Sequence, residues 1–198
     1  MPYIYKMSNA GGMSTVTRYT DMLAGNTAFV DPAFESIATT TVGAGGAATV
    51  TFSSIPSTYT HLQIRAILQP ASTDYTGMRF NSDSGNNYAA HILRGSGSAA
   101  SSSAFTTRSD ALLNDNTTGT SGSIFNAVIV DILDYANTNK YKTVRTLGGV
   151  DANGSGYGIS FASSLWQSTT AISTITLTNG NASNFVQYSS FALYGIKG

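Results

Sequence analysis

Apolar and polar residues alternate along much of the chain after residue 36, as they do in β-strands that bury one face. In segment 59–68, for example, Leu62 and Ile64 fall on one side of a strand, and Gln63 and Arg65 fall on the other. Apolar residues are not sustained at the helical spacing of three or four positions. The pattern predicts strands at 36–42, 47–53, 59–68, 76–82, 88–94, 124–133, 142–148, 157–166, 171–178 and 188–196.

Three features add detail to this pattern. A glycine-rich stretch between 36–42 and 47–53 predicts that these two strands form a β-hairpin. Segment 95–123 is rich in Ser, Gly, Thr and Asn, which predicts a long exposed loop. Segment 124–133 is the most apolar run of the chain, which predicts a strand that is buried on both faces.

The number of strands and the long connections favour an all-β fold. We expect an antiparallel two-sheet sandwich over residues 36–198, with jelly-roll-like connections, preceded by an extended N-terminal arm over 1–35. An immunoglobulin-like domain, with seven strands, fits the strand count less well.

The apolar residues of the arm follow neither the spacing of a helix nor that of a strand, and the arm is too short for a core of its own. It nevertheless carries many apolar side chains. Burial of apolar area stabilises docking by roughly 25 cal/mol per Å². The sequence leaves open whether the arm packs on its own domain or on a partner chain. The candidate partner-binding residues of the arm are Tyr3, Tyr5, Met13, Tyr19, Leu23 and Phe29.

Composition and charge narrow the possible partners. The 198 residues carry no net charge, only 10% are charged, and cysteine is absent. A neutral chain has no long-range attraction to nucleic acid, and no apolar run is long enough for membrane insertion. Because charged residues are depleted at interface centres, we expect permanent assembly with other chains, with a homotrimer as the expected form.

Groups for acid–base chemistry are scarce, so we expect no enzymatic activity and no cofactor. The only two histidines, His61 and His91, lie within strand patterns and are interpreted as structural or surface residues. Asp131 and Asp134 are three positions apart and would point to opposite faces of a strand, which disfavours a glycosidase pair. Asp131 is expected to pair with a neighbouring Lys or Arg, and Asp134 to begin a turn.

Two loops resemble metal sites only in part. Asp151, Asn153 and Ser155 match the first ligands of a calcium loop, but position 12 of that motif is Ala162 rather than Glu. A tight hairpin turn at Asn153 explains the same residues more simply. The stretch 82–87 (SDSGNN) is a similarly weak candidate, so no metal is assigned.

Aromatic residues could instead stack on a sugar, although a place in the core or in a subunit contact is the favoured interpretation. The candidates are Tyr75, Tyr88, Phe105, Tyr157 and Trp166.

Several longer stretches resemble small structural proteins of tailed bacteriophages. They are 38–65 (ATTTVGAGGAATVTFSSIPSTYTHLQIR), 78–88 (MRFNSDSGNNY), 130–149 (VDILDYANTNKYKTVRTLGG) and 187–198 (QYSSFALYGIKG), and the arm segment 5–26 is similar to the head segment of such proteins. The resemblance implies a β-sandwich on the outer surface of a virion, made in the bacterial cytoplasm, and no catalytic residues.

Two roles follow from this resemblance. In the first, the chain decorates and cements the capsid shell, and its arm binds the major capsid protein or other virion proteins. In the second, it is a short tail-fibre or tail-tip subunit that presents 95–123 to a host surface glycan. We favour the first, because the chain has a compact domain with an arm and no repetitive shaft.

Overall fold

The computed structural model describes residues 33–115, 122–153 and 158–198, and these residues form twelve β-strands without a helix. The strands are β1 (Phe34–Thr41), β2 (Thr49–Phe52), β3 (His61–Leu68), β4 (Thr76–Phe80), β5 (Tyr88–Gly95), β6 (Ala100–Arg108), β7 (Ala111–Asn114), β8 (Asn126–Leu133), β9 (Lys142–Gly149), β10 (Ile159–Trp166), β11 (Ile175–Asn179) and β12 (Ser190–Ile196).

The strands form two antiparallel sheets that pack in a sandwich-like arrangement, as the sequence predicts. The large sheet has eight strands in the order β1-β12-β3-β8-β9-β10-β5-β6, and the small sheet has four in the order β2-β11-β4-β7. Ten strands were expected from the alternation, and each of them is present within a few residues of its predicted position. The all-β prediction is therefore confirmed.

The chain crosses between the sheets at most of its connections, which is the jelly-roll-like feature of the fold. The predicted hairpin of 36–42 with 47–53 is wrong for this reason. Strand β1 pairs with β12 in the large sheet, whereas β2 pairs with β11 in the small one. The glycine-rich stretch carries the chain from one sheet to the other, and Gly46 adopts a positive φ of 69° there.

The prediction that 95–123 forms one long loop is also wrong, since β6 and β7 lie within it. Strand β6 is the edge of the large sheet, and almost all of its residues are exposed on both sides. Small Ser, Ala and Thr residues predominate there, and the strand is held to β5 by backbone pairing along its length. Strand β7 has four residues, all buried, which is too short to show an alternation.

The core lies between the two sheets. The central strands of the large sheet contribute one side chain in two, such as Ile64 and Val130, and the small sheet contributes Met78 and Leu177. All four of these side chains are fully buried.

The most apolar strand departs from its prediction in an informative way. Segment 124–133 was expected to be buried on both faces, but the burial of β8 alternates along its length. Val128, Val130 and Ile132 are buried, whereas Ile129 is 42% exposed. None of the described residues covers the second apolar face of this strand.

Candidate functional site

Alternate residues of the large sheet point away from the small sheet, and we call this side the outer face. In β9, for example, Val144 and Thr146 are buried against the small sheet, whereas Arg145 and Leu147 point outward and are exposed. The two-residue period of β8, β9, β10 and β5 therefore builds one continuous surface from every second side chain.

Four large apolar side chains form a continuous row across this surface. Backbone pairing places Leu147 between Ile129 and Phe161, its partners on the two neighbouring strands. Phe161 in turn lies opposite Leu93. Their exposed fractions run from 42% for Ile129 to 56% for Leu93. We call these four residues the ridge: Ile129, Leu147, Phe161 and Leu93.

Beside the ridge runs a second row in which small residues predominate. Ala127 pairs with Gly149, and Ile159 lies between Gly149 and Gly95. Ile159 is 65% exposed. A depression of about 600 Å³ lies over Gly95, Ala127 and Gly149. We call this row the hollow row: Ala127, Gly149, Ile159 and Gly95.

On the other side of the ridge the surface becomes polar. Asp131 accepts a hydrogen bond from the Gln63 amide at 2.8 Å and lies opposite Arg145 in register. Ser163 lies between Arg145 and His91. The expected Lys or Arg partner of Asp131 is thus replaced by the Gln63 amide, while Arg145 is its neighbour across the strands. These five residues form a polar border.

A cation, Arg65, lies next to the end of the ridge but is directed away from it. Arg65 lies opposite Ile129, but its guanidinium sits 5.3 Å from the ring centroid of Phe34 and 5.8 Å from that of Tyr194. Its Nε also donates to Gln63 Oε1 at 2.9 Å. Because cation–π and hydrogen-bond contacts hold Arg65 over the aromatic pair, Ile129 keeps an apolar surrounding.

The apolar area of the outer face is large for a single chain. The ridge together with Ile67 and Ile159 comprises six side chains that are 42% to 65% exposed. We estimate that they expose roughly 500 Å² of apolar surface, which is at the upper end for patches on monomers and within the range that is often functional.

A shallow groove of about 400 Å³ lies at the boundary of the ridge and the polar border, between β10, β5 and β6. Phe161 and Leu93 form its apolar wall, and His91, Ser102 and Ser163 provide its polar groups. The groove offers an aromatic ring beside hydroxyl and imidazole groups.

His61 and Asp134 contact each other and neighbouring residues in ways that explain them as structural residues. His61 Nδ1 accepts a hydrogen bond from the backbone of Asp134 at 3.0 Å, and the Asp134 carboxylate is paired with Lys140. The hydrogen bond from Lys140 is the main reason that the pKa of Asp134 lies below its ordinary value. Asp134 begins a turn, as predicted, and its carbonyl accepts from Asn137 at 3.0 Å.

The first of the two metal-like loops has a structural explanation. In 82–87, Asp83 accepts hydrogen bonds from the Gly85 backbone and from the Asn87 and Trp166 side chains. In the second loop, Asn153 has a positive φ of 59°, a backbone conformation common in turns, and residues 154–157 lie outside the described residues. Ser155 lies outside the described residues. No group of three or more His, Asp or Glu side chains suited to a metal occurs in the described part of the chain.

The aromatic candidates divide between core and surface. Tyr88 and Trp166 are buried and stack at 6.3 Å between ring centroids, which confirms the core interpretation for both. Tyr75 is half-buried beneath the guanidinium of Arg108, and Phe105 is 38% exposed on the edge strand. Tyr157 lies outside the described residues.

The six arm residues predicted to bind a partner also lie outside the described residues; they are Tyr3, Tyr5, Met13, Tyr19, Leu23 and Phe29. Strand β1 begins at Phe34, whose ring stacks on Tyr194 with a centroid distance of 4.7 Å. Phe34 therefore marks the point at which the chain enters the edge strand of the large sheet.

The sequence alone does not single out the outer face as a site. The signal was present in 124–133, where apolar residues occupy both sides of the strand. Ile159 and Phe161 were assigned to a strand, but alternation alone does not say which side of a strand is the covered one.

Three comparisons, with protein-family models, with curated proteins and with solved structures, find no match to this chain. Among the residues described, no helix has the length and apolar character needed to cross a membrane.

Proposed function

We propose that this chain is a non-enzymatic structural subunit of a tailed-phage virion that decorates and cements the capsid shell. The exposed apolar outer face is the observation that carries the proposal. Leu147 and Phe161, at its centre, are 53% and 45% exposed although they lie side by side. Exposed apolar patches of this size often mark surfaces that contact another molecule.

The pattern of β8 supports permanent assembly more directly. Its sequence is suited to burial on both faces, and only the inner face is covered within the described residues. Covering roughly 500 Å² of apolar area contributes on the order of 10 kcal/mol before the cost of association. Repeated at each symmetry-related position, contacts of this size would resist the outward pressure of packaged DNA.

In this proposal the arm attaches the subunit to the major capsid protein or to other virion proteins. Its candidate contacts remain Tyr3, Tyr5, Met13, Tyr19, Leu23 and Phe29, which are mostly aromatic and therefore suited to interface centres. Homotrimeric assembly remains the expectation from the sequence.

Removal of the arm tests this role. The deletion should cover residues 2–32, because Phe34 pairs with Ile196 in β1 and belongs to the sheet. We expect a folded domain that no longer co-sediments with shells of the virion that contains this chain. An arm-less domain that binds shells normally would overturn the attachment role. Cryo-electron microscopy of the particles would then locate the full chain on the shell, on the tail or on neither.

A second candidate function is supported by the groove at β5, β6 and β10. An aromatic ring beside hydroxyl groups is the arrangement that sugars bind, so a tail-fibre or tail-tip subunit could hold a host surface glycan there. We expect Phe161→Ala to abolish binding on a glycan array if this function is correct, whereas Phe105→Ala, on the edge strand, should not. A wild-type chain that binds no glycan and no host cells would exclude this function.

A further inference from the structure

We propose that the outer face is covered by the outer face of a second copy of this chain, with the ridge of each copy packed on the hollow row of the other. This inference deepens the proposed assembly role and rests on it, since it names the occupant of the same surface. The inference concerns the outer face of the sheet, whereas attachment to the shell is assigned to the arm. Association between copies and binding to shells are therefore measured in separate experiments.

The two rows are complementary to each other under a two-fold rotation. The ridge and the hollow row run side by side across β8, β9, β10 and β5. Consider a two-fold axis that lies in the plane of contact, runs parallel to the two rows and passes midway between them. Rotation about this axis places the ridge of each copy over the hollow row of the other copy. Each residue then faces the residue two positions away on the same strand of the second copy.

This rotation makes specific contacts. Leu147 lies over Gly149 of the second copy, and Leu93 lies over Gly95. Phe161 of each copy meets Ile159 of the other. Two sheets packed face to face lie about 10 Å apart, so side chains of leucine size reach the opposing backbone only where glycine or alanine leaves space.

One pair of charged residues is complementary under the same rotation. Arg145 in the polar border lies two positions before Leu147, and Asp151 lies two positions beyond Gly149. The rotation brings the exposed Arg145 of one copy opposite the exposed Asp151 of the other, and it does so twice because the interface is symmetric. A partner of unrelated sequence has no reason to match both the apolar rows and these charges.

The area is also sufficient. Roughly 500 Å² of apolar surface on each copy, together with the polar border, gives a total of about 1,200 Å² or more, which is the lower bound for stable interfaces. We therefore expect dimers in solution, rather than the homotrimer expected from composition, wherever this contact forms.

The experiment measures the mass and the dissociation constant of the full chain by sedimentation equilibrium. We expect dimers that dissociate on dilution, and Leu147→Glu should raise the dissociation constant by about 100-fold or more. The matched control is Thr143→Glu, which also lies on the outer face of β9 but beyond the polar border. It should leave the dissociation constant unchanged. Leu147 is exposed, so Leu147→Glu should keep the thermal midpoint of a dilute sample.

A variant that adds apolar volume separates specific packing from general adhesion. Gly95→Val fills the hollow, and a Cβ at Gly95 would lie at an ordinary 3.5 Å from Ile159 Cγ1, so the chain should fold. We expect about 10-fold weaker association. If the copies associate through non-specific apolar contact, Gly95→Val should instead strengthen association. That result would overturn the proposed packing of the ridge on the hollow row.

Charge exchange tests the orientation. Arg145→Asp should weaken association, and Arg145→Asp combined with Asp151→Arg should restore most of it. A chain that stays monomeric at the highest concentration reached would overturn the inference, as would trimers that the face variants do not affect. If association were lost only on deletion of 2–32, the arm would be the segment that covers the outer face, and this result would also overturn the inference. Loss of shell binding with intact dimers would instead contradict only the proposed function.

Discussion

Trp166 Nε1 donates a hydrogen bond of 2.8 Å to Asp83 Oδ2, although the two residues are 83 positions apart in the chain. The bond joins the end of β10 to the turn that follows β4. Beneath it, the Trp166 ring lies 5.4 Å from Phe80 and 6.3 Å from Tyr88. The Tyr88 hydroxyl donates to the Asp83 carbonyl and accepts from the Phe80 backbone, and burial raises its pKa. This aromatic cluster closes one corner of the sandwich.

Asp83→Ala should destabilise this corner. The substitution leaves the indole N–H of Trp166, a side chain that is 2% exposed, without its acceptor, and such a loss costs about 1–3 kcal/mol of unfolding free energy. Trp166 is the only tryptophan, so its fluorescence in a urea titration reports the unfolding directly. Ser84→Ala, an exposed neighbour, should change the midpoint little. Equal stability of the two variants would contradict this account.

The stability that Asp83 contributes should depend on pH. Burial raises the pKa of this carboxyl, but the hydrogen bonds from Trp166, Asn87 and the Gly85 backbone outweigh it and hold the pKa below its ordinary value. A carboxyl with a lowered folded pKa stabilises the fold above its unfolded pKa, near 4, and this contribution is lost as the pH falls through the folded pKa. The difference in unfolding free energy between wild type and Asp83→Asn should therefore shrink below about pH 4. A constant difference from pH 7 to pH 2 would be inconsistent with it.

Gly148→Ala should be poorly tolerated. A Cβ at this position would lie 2.5 Å from Asn114 Oδ1, whose amide is buried among polar groups between the sheets. We expect a loss of about 1–3 kcal/mol in thermal or chemical unfolding. The control is Gly45→Ala, where no atom lies within 4 Å of the added Cβ and a near-neutral effect is expected. In an Asn114→Ala background the cost of Gly148→Ala should fall, because the clashing atom is absent.

Lys142 is fully buried and satisfies three backbone carbonyls. Its Nζ donates to Asn137 at 2.6 Å, to Lys140 at 3.1 Å and to Thr169 at 3.2 Å, and burial lowers its pKa. Lys142→Met keeps the apolar stem but leaves these carbonyls without a donor, which should cost about 2–3 kcal/mol in urea unfolding. Lys140→Met, in the same turn and largely exposed, should cost under about 1 kcal/mol, as surface ion pairs do. If Lys140→Met lost more unfolding free energy than Lys142→Met, this account of the buried lysine would be contradicted.

Substitution of arm residues tests the attachment role of the arm. Changing Tyr19, Leu23 and Phe29 together to Ser removes three large apolar side chains without shortening the chain. We expect weaker co-sedimentation with shells and a thermal midpoint close to that of wild type. A large drop in the midpoint would show that the arm packs on its own domain, which is the alternative that the sequence left open.

Much of the fold could be predicted from alternation alone. Strand β3 illustrates this, because Leu62 and Ile64 are fully buried and Arg65 is exposed, as their positions predict. The edge strand β6 escaped prediction because its Ser and Ala side chains have no buried face to signal. The partners of β1 and β2 also escaped, since a glycine-rich connection is equally compatible with a hairpin and with a crossover between sheets.

The sequence by itself determined that the chain is all-β, where most strands lie, and which side chains of each strand share a face, because those properties depend on a two-residue period that is local. Only the tertiary structure decided which strands are neighbours, and hence that Ile129, Leu147, Phe161 and Leu93 form one continuous ridge. Pairing between distant strands depends on the joint packing of both sheets, which no short segment encodes. Likewise, the apolar pattern of 124–133 showed that both faces of β8 are suited to burial, but only the sandwich showed which of them remains uncovered by the described residues.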